Sequence, residues 1–142
     1  MSAADNLSAY GVFSHRHTGE LLEQIGIGAD TIVFTPHLLP IPRGILSTIY
    51  VRFSEPQTKR AVAQTYHHFF AGCPMVRLYD NALPQIQNSI RTSYADIGFH
   101  LDTKGRRAVI VSCLDNLLKG ASGQAVQNMN LMLGWCEAEG LE

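Results

Sequence analysis

Histidine is the residue type in this sequence best suited to acid–base chemistry. Six histidines occur among the 142 residues, and two of them, His15 and His17, stand two positions apart. His17 directly precedes Thr18, which can cap a helix, and Glu20 follows three residues later. A histidine at the start of a helix with a carboxylate in reach can be oriented as a general acid or base. The same pattern also fits an exposed histidine beside a glutamate that only offsets the helix dipole.

Metal binding is a weaker interpretation of the same histidines. A His-x-His pair needs a third protein ligand at a recognisable spacing, and the nearby sequence supplies none. His67 and His68 are adjacent on a predicted helix, so their rings point in different directions. We therefore predict no metal site, and a histidine-rich metal-binding protein is the least favoured class.

The three cysteines lack the surroundings of a nucleophile. Cys113 lies in an apolar strand, Cys73 lies in a Gly-Cys-Pro turn, and Cys136 follows a tryptophan. An activated thiolate needs an electropositive, partly exposed setting, and none of the three has a convincing partner. Their odd number and scattered spacing also argue against a zinc or disulfide framework. We predict structural or incidental roles for all three.

Two further places could meet a ligand. The junction from Asp115 to Gln124 combines small and polar residues where a predicted strand meets a helix, and such a junction can present backbone N–H groups. It has neither the GxGxxG spacing nor a P-loop lysine, so it cannot bind a dinucleotide by itself. Arg43, between Pro42 and Gly44, could hold a carboxylate or phosphate. A surface or interface ion pair explains Arg43 equally well.

The elements that must position these residues indicate an α+β fold with helices mainly on one face of a sheet. Gly120 and Gly123 each cost about 1 kcal/mol inside the last helix, so we expect a close approach of other atoms there. The helix from Ser54 is predicted from a capping box that Gln57 completes. The predicted elements, in order, are a helix at 18–25, strands at 31–35 and 45–53, a helix at 54–70, a strand at 75–79, a hairpin of 97–101 and 107–114, and a helix at 117–133.

Length and composition limit the class of protein. A chain of 142 residues with 46% apolar and 16% charged residues fits one folded domain over residues 1–142, not a disordered or fibrous chain. The net charge of −1 argues against a nucleic-acid partner. No apolar run approaches the roughly 18 residues of a membrane span, and no secretory signal is evident. We expect a soluble protein of a reducing compartment, the cytoplasm, or the plastid if the source is a plant.

Three motifs in a fixed order carry a resemblance to a known family. From about Asn6 to Leu141, the chain resembles the C-terminal part of N-acetyl-gamma-glutamyl-phosphate reductases, enzymes of arginine biosynthesis. The motifs are His15-Arg-His-Thr-Gly-Glu20, Phe34-Thr-Pro-His-Leu-Leu-Pro-Ile-Pro-Arg-Gly-Ile45 and Ser112-Cys-Leu-Asp-Asn-Leu-Leu-Lys-Gly-Ala-Ser-Gly-Gln-Ala-Val-Gln-Asn-Met-Asn130.

The resemblance implies a glyceraldehyde-3-phosphate-dehydrogenase-like C-terminal domain with a mixed, mainly antiparallel sheet. Such enzymes reduce the acyl phosphate of N-acetylglutamate to the semialdehyde and release phosphate. NADP is bound mainly by an N-terminal Rossmann domain, and the nucleophilic cysteine lies upstream in an Asn-Pro-Gly-Cys-like segment. This chain has neither, so we expect it to be inactive alone and to form at least a homodimer.

By the same resemblance, the first motif holds the catalytic residues. His17 would be the general acid/base, Glu20 would orient it, and His15 is a second candidate for the same role. The family usually has proline where this chain has Gly19, which loosens the start of the helix.

The remaining motifs imply ligand contacts. Asn116 would meet the nicotinamide amide, and Gly120 and Gly123 would let the last helix pack closely under the cofactor domain. Arg43 would bind the acyl-phosphate substrate or lie at a subunit interface.

Two alternatives stay open at this point. The chain could be a non-enzymatic oligomerisation domain of the same fold, although pure assembly has no use for His17, Glu20 and Asn116. It could also belong to the lysine-pathway reductase that acts on an amino-adipyl phosphate, since the sequence does not display the contacts that choose the substrate.

Overall fold

Two structural units follow one another along the chain, one up to Pro42 and the other from Arg43 onward. The computed structural model describes residues 5–141. In the first unit, strand β1 (Ser8–Ala9) pairs antiparallel with β2 (His37–Leu38). Helix α1 (His17–Ile25) and a 3-10 turn (Ala29–Thr31) lie between these strands in the sequence. The helix ends at Gly26, whose φ of 69° is left-handed and whose N–H donates to the Leu22 carbonyl at 2.9 Å.

The strand predicted at 31–35 is wrong. Thr31 closes the 3-10 turn, and although Ile32 has extended backbone angles, no strand pairs with residues 32–36 in the described part of the chain. Extended backbone becomes a strand only where a neighbour accepts and donates its hydrogen bonds. That neighbour is β1, whose residues pair with His37 and Leu38, and the Tyr10 N–H just after β1 donates to the Pro36 carbonyl at 3.0 Å.

The second unit is built on one mixed sheet with strand order β3-β6-β5-β4. Both β3–β6 and β5–β6 pair antiparallel, whereas β4 and β5 are parallel. This arrangement confirms the predicted α+β class and the mainly antiparallel sheet. The strands are β3 (Ile45–Arg52), β4 (Val76–Tyr79), β5 (Ala95–Leu101) and β6 (Arg107–Leu114), and the helices are α2 (Lys59–Phe69), α3 (Ile86–Ser89) and α4 (Gly123–Leu133).

The two faces of this sheet are covered differently. Helix α2 packs on the face that carries Phe99, where the Tyr66 ring stacks on the Phe99 ring at 5.9 Å with 12° between the planes. On the opposite face, a Cβ at Gly98 would come within 2.7 Å of the Ala82 carbonyl oxygen, so a loop segment lies against this face at Gly98. The core between these layers is small, and Met75 and Cys113 are its most deeply buried apolar side chains.

Helix α2 begins later than its sequence signals indicate. The predicted capping box at Ser54 is wrong: the helix starts at Lys59, and the Thr58 hydroxyl accepts the Ala61 N–H at 3.1 Å. The reason is a tertiary contact, because the Gln57 N–H donates to the Gly105 carbonyl in the hairpin turn at 2.7 Å. Because the Gln57 N–H is bonded to the hairpin turn, the residues before Thr58 lie against that turn and are not part of the helix.

Gly105 is the tightest point of the hairpin and provides a stability prediction. Its φ is +67°, and an added Cβ would lie 2.2 Å from the Gln57 carbonyl oxygen. We expect Gly105→Ala to lower the free energy of unfolding by about 3 kcal/mol, because strain and overlap add. Gly19→Ala is the control, since nothing lies within 4 Å of its added Cβ and the site is helical. It should stabilise the chain by about 0.5–1 kcal/mol in urea unfolding; equal effects would contradict this account.

Candidate active site

The first candidate cluster joins His15 and His17. His17 is the first residue of α1, and its backbone N–H donates to Nδ1 of His15 at 3.2 Å. The two ring centroids are 4.9 Å apart at 73°. The His15 ring also lies edge-on to Tyr10 at 5.5 Å and Phe34 at 5.3 Å. His15 is therefore the fixed, half-buried member of the pair, and His17 is the exposed one.

The His15 hydrogen bond defines the chemistry of that ring. Because Nδ1 accepts from the backbone, a neutral His15 carries its proton on Nε2. Protonation of Nδ1 would replace this acceptor by a second donor facing an N–H group. His15 is thus suited to hold the start of α1, and His17 has the exposed imidazole that could move protons.

Thr18 and Glu20 lie differently from their predicted roles. The helix starts at His17, so Thr18 lies inside the first turn and is not the cap; the capping position is Arg16, with no side-chain cap bond. The Thr18 hydroxyl oxygen is buried without a hydrogen-bond partner in the described residues. Glu20 is exposed one turn after His17, and within residues 5–141 no hydrogen bond or ion pair joins the two side chains. The structure brings His15, not Glu20, into contact with His17.

The second cluster lies where β6 ends and β3 begins. The Asp115 carboxylate is fully buried and accepts the Arg43 Nε–H at 2.6 Å. It also accepts the backbone N–H groups of Arg91 at 2.6 Å, Leu117 at 2.8 Å and Leu118 at 3.0 Å. Burial alone would raise the pKa of Asp115, but these four donors outweigh it and hold the pKa at about 2. Asp115 is therefore charged throughout the physiological range.

Asn116 is anchored beside this carboxylate. Its Oδ1 accepts the Gly44 N–H at 2.7 Å, which settles which side of the amide is oxygen. The Nδ2 group donates to no protein atom among residues 5–141. The structure thus brings together two predicted site residues, Arg43 and Asn116, through the pairing of residues 43–44 with 115–116. What sequence reasoning missed is Asp115, although a carboxylate directly after an apolar strand is a recognisable signal for a paired buried charge.

Gly120 and Gly123 lie in a distorted helix start. Residues Leu118–Ser122 form a π-helical turn, and α4 continues from Gly123, so the predicted helix is present but begins irregularly. A Cβ at Gly123 would meet the Ser93 hydroxyl and the Leu118 carbonyl, both at 2.9 Å. A Cβ at Gly120 would lie 3.2 Å from Leu114. The close approach expected at Gly120 and Gly123 is present, and the approaching atoms belong to other residues of the described part of this chain.

The cysteines have the settings of ordinary thiols. Cys113 is fully buried, and burial followed by the charge of Asp96 raises its pKa to about 11. Cys73 is half-buried and Cys136 is exposed, and all three are unpaired thiols. We predict that a disulfide reagent labels Cys136 fastest, Cys73 more slowly and Cys113 only after denaturation. Mass spectrometry of the labelled peptides checks the order, and rapid native labelling of Cys113 would show that its environment is open.

Among residues 5–141, no three histidine, cysteine, aspartate or glutamate side chains are grouped so that they could hold a metal ion. Over the same residues, no helix has the length and apolar character to cross a membrane.

Solved structures share the fold of about two thirds of this chain. Aspartate semialdehyde dehydrogenase II from Vibrio cholerae, complexed with ASA, matches with a TM-score of 0.54 at 19% identity, covering 68% of this chain and 29% of that one. The uncomplexed form of the same enzyme gives a TM-score of 0.54 over 70% of this chain. The fold of the matched part of the chain is therefore also found in part of that dehydrogenase.

Sequence relatives are closer than these structures. A family model described as "Semialdehyde dehydrogenase, dimerisation domain" matches residues 1–116, and the chain belongs to this family. Curated proteins named N-acetyl-gamma-glutamyl-phosphate reductase are 44% identical over 140 residues in Caldicellulosiruptor saccharolyticus and 46% identical over 143 residues in Geobacter sulfurreducens. These matches cover 96% and 97% of the chain and 41% of each relative. The chain thus spans about two-fifths of the length of these relatives, and the family and fold expectations are confirmed.

Proposed function

We propose that this chain is the catalytic and dimerisation domain of a reductase that converts N-acetylglutamyl 5-phosphate into N-acetylglutamate 5-semialdehyde and phosphate. The observation that carries the proposal is the His15–His17 pair at the start of α1, in a chain whose relatives at 40–46% identity are named for that reductase. Those names favour N-acetylglutamyl phosphate over the amino-adipyl substrate. An exposed imidazole at a helix start also supports catalysis over assembly alone.

His17 is the proton-transfer group in this proposal. Its exposed ring accepts the proton of the attacking thiol, which a segment outside this chain supplies, and the resulting imidazolium faces the oxygen that gains negative charge. His15 contributes by holding the His17 backbone through Nδ1. Glu20, one turn along α1, places a negative charge near the helix start, where it offsets the helix dipole.

Asn116 and Arg43 fit the groups that the reaction requires. NADP, bound mainly by an N-terminal Rossmann domain, supplies the hydride. The Asn116 Nδ2 group is the available half of that amide, because Oδ1 is taken by Gly44, and Nδ2 is a donor suited to the nicotinamide carboxamide oxygen. Arg43 uses Nε on Asp115, and its remaining N–H groups suit a carboxylate or phosphate oxygen of the substrate.

The test joins this chain to the part of the Geobacter sulfurreducens reductase that precedes the matched region. The chimera should oxidise NADPH when N-acetylglutamyl phosphate is added, with a lower kcat/KM for the amino-adipyl analogue. The intact Geobacter enzyme is the positive control for the assay. A chimera that is folded, dimeric and able to bind NADPH, yet turns over neither substrate, would contradict the proposed function.

Self-association is the second part of the proposal, and β3 is the surface we assign to it. This edge strand exposes four large apolar side chains, including Tyr50 at 79%. Exposed apolar surface on an edge strand favours pairing with another copy. The set is Ile45, Leu46, Ile49 and Tyr50.

A charge placed on β3 should therefore weaken the dimer. We expect Ile49→Asp to raise the dimer dissociation constant at least about tenfold, measured by analytical ultracentrifugation. An unpaired charge buried in the interface costs more free energy of association than a tenfold change in the dissociation constant represents. Phe69→Asp is the control, since Phe69 is 75% exposed at the end of α2. An Ile49→Asp chain that is folded and dimerises like the Phe69→Asp chain would remove β3 from the interface.

We place the enzyme in the cytoplasm. Three unpaired thiols, one of them exposed, are compatible with a reducing compartment. Fractionation of the source cells, with antibodies against this chain, would test this assignment.

A further inference from the structure

Two buried aspartates of the second unit have similar ion pairs but different neighbours. Asp115 and Asp96 are each 0% exposed, and each accepts an arginine Nε–H at 2.6 Å, from Arg43 and Arg77 respectively. Asp96 also accepts a second Arg77 N–H at 2.8 Å and the Ser89 hydroxyl at 2.5 Å. Asp115 instead accepts three backbone N–H groups from two separate segments. Asp115 is thus a junction between segments.

Hydrogen bonds of Asp115 and Asn116 join residues 115–116 to residues 43–44. Asp115 holds the side chain of Arg43, and Asn116 holds the backbone of Gly44. Both bonds lie just beyond the last pair of the β3–β6 ladder, Ile45 with Leu114. A shift of the Asp115 carboxylate therefore moves Arg43 directly and Asn116 through the shared backbone.

The Arg91 bond shows that this junction is held against backbone strain. Arg91 has a φ of 63°, a left-handed backbone conformation that residues other than glycine rarely adopt. Its N–H donates to Asp115 at 2.6 Å, so the carboxylate stabilises the turn in this conformation. Non-glycine residues in such conformations persist where the surrounding structure over-determines them, and they cluster at functional sites.

We infer that Asp115 is a positioning residue that holds the Arg43 guanidinium and the Asn116 carboxamide as one rigid unit, presenting their remaining donors to the substrate anion and the nicotinamide amide. This inference rests on the proposed function. Among residues 5–141, the Arg43 Nη groups and the Asn116 Nδ2 group donate to no protein atom, and the Arg43 side chain is 30% exposed. The Arg43 and Asn116 side chains are each held through one atom, and their remaining donors are available to a ligand.

The kinetic test compares Asp115→Asn with Asp96→Asn in the chimera. Both variants weaken a buried ion pair, so both should lower the melting temperature. Only Asp115→Asn should raise the KM for NADPH and for N-acetylglutamyl phosphate, each by about tenfold or more, since a misplacement of about 1 Å costs binding and rate on that scale. The inference would be overturned if a folded Asp115→Asn chimera had the KM values of the wild-type chimera, or if both variants raised KM equally.

A second measurement uses this chain alone and does not depend on turnover. In ¹⁵N NMR, the Arg43 Nε–H should exchange slowly with water in the wild type, because Asp115 accepts it. Asp115→Asn should remove that protection and shift the Asn116 side-chain amide, whereas Asp96→Asn should change neither. If Asp115→Asn does not fold, the wild-type exchange rate decides, and a rapidly exchanging Arg43 Nε–H overturns the inference. An inactive wild-type chimera with a protected Nε–H would refute the proposed function, and with it the ligands assigned here, while leaving the Asp115 junction established.

Discussion

Replacing His17 with asparagine should lower kcat of the chimera by about 10²–10⁴-fold, the usual contribution of one proton-transferring side chain. The exposed His17 ring contacts only the His15 ring among the aromatic contacts of the first unit. The bond that holds the helix start uses the His17 backbone, which asparagine retains. Folding and dimerisation should therefore be unchanged, and the loss should appear in steady-state NADPH oxidation.

Two controls separate catalysis from a general effect of losing a histidine. His68→Asn removes an exposed histidine from α2 and should leave kcat unchanged. Added imidazole should restore part of the activity of His17→Asn, because a small base can enter the space left by the ring. Wild-type turnover by His17→Asn would exclude His17 as the acid/base, and His15→Asn would then be the variant to measure.

The three longer helices, α1, α2 and α4, and the central strands were predictable because their apolar periodicity is local, whereas the short helix α3 carries no such pattern and was not predicted. The hairpin at 97–101 and 107–114 is confirmed as β5 and β6, and β3 ends at Arg52 within one residue of its prediction. The apolar pattern within each of these segments indicates its secondary structure, so the prediction does not require knowing which segments pack against it.

The errors arise where a distant contact decides the local structure. The start of α2 depends on Gln57 bonding to Gly105, which lies 48 positions away, and no local signal reports that contact. The Arg43–Asp115 pair joins residues 72 positions apart. From the sequence, Arg43 fits a substrate contact as well as it fits a surface arginine or an interface ion pair, and Asp115 is only one residue of a longer motif. Its role follows from the β3–β6 register, which brings the two segments together.

The Asp115 junction should also dominate the stability of the second unit. We expect Asp115→Ala to lower the free energy of unfolding by about 3–5 kcal/mol, because it leaves three backbone N–H groups and a half-buried arginine without their acceptor. Asp80→Ala is the matched control: Asp80 also pairs with a basic side chain, His67, but both are about half exposed. Its removal should cost no more than about 1 kcal/mol. Urea unfolding followed by Trp135 fluorescence measures both, and similar losses would show that burial of Asp115 has little energetic effect.

The same carboxylate should give the chain a distinct acid response. The pKa of Asp115 is about 2 in the folded chain against 3.8 for an unperturbed aspartate, so the unfolded state binds its proton first as the pH falls. Stability from Asp115 is therefore complete above about pH 5 and is lost progressively as the pH falls toward 2. In urea unfolding at several pH values, the difference between wild type and Asp115→Ala should shrink across this window and stay constant from pH 5 to 7. A difference that also changes between pH 5 and 7 would assign the acid response to other groups, because Asp115 binds no proton there in either state.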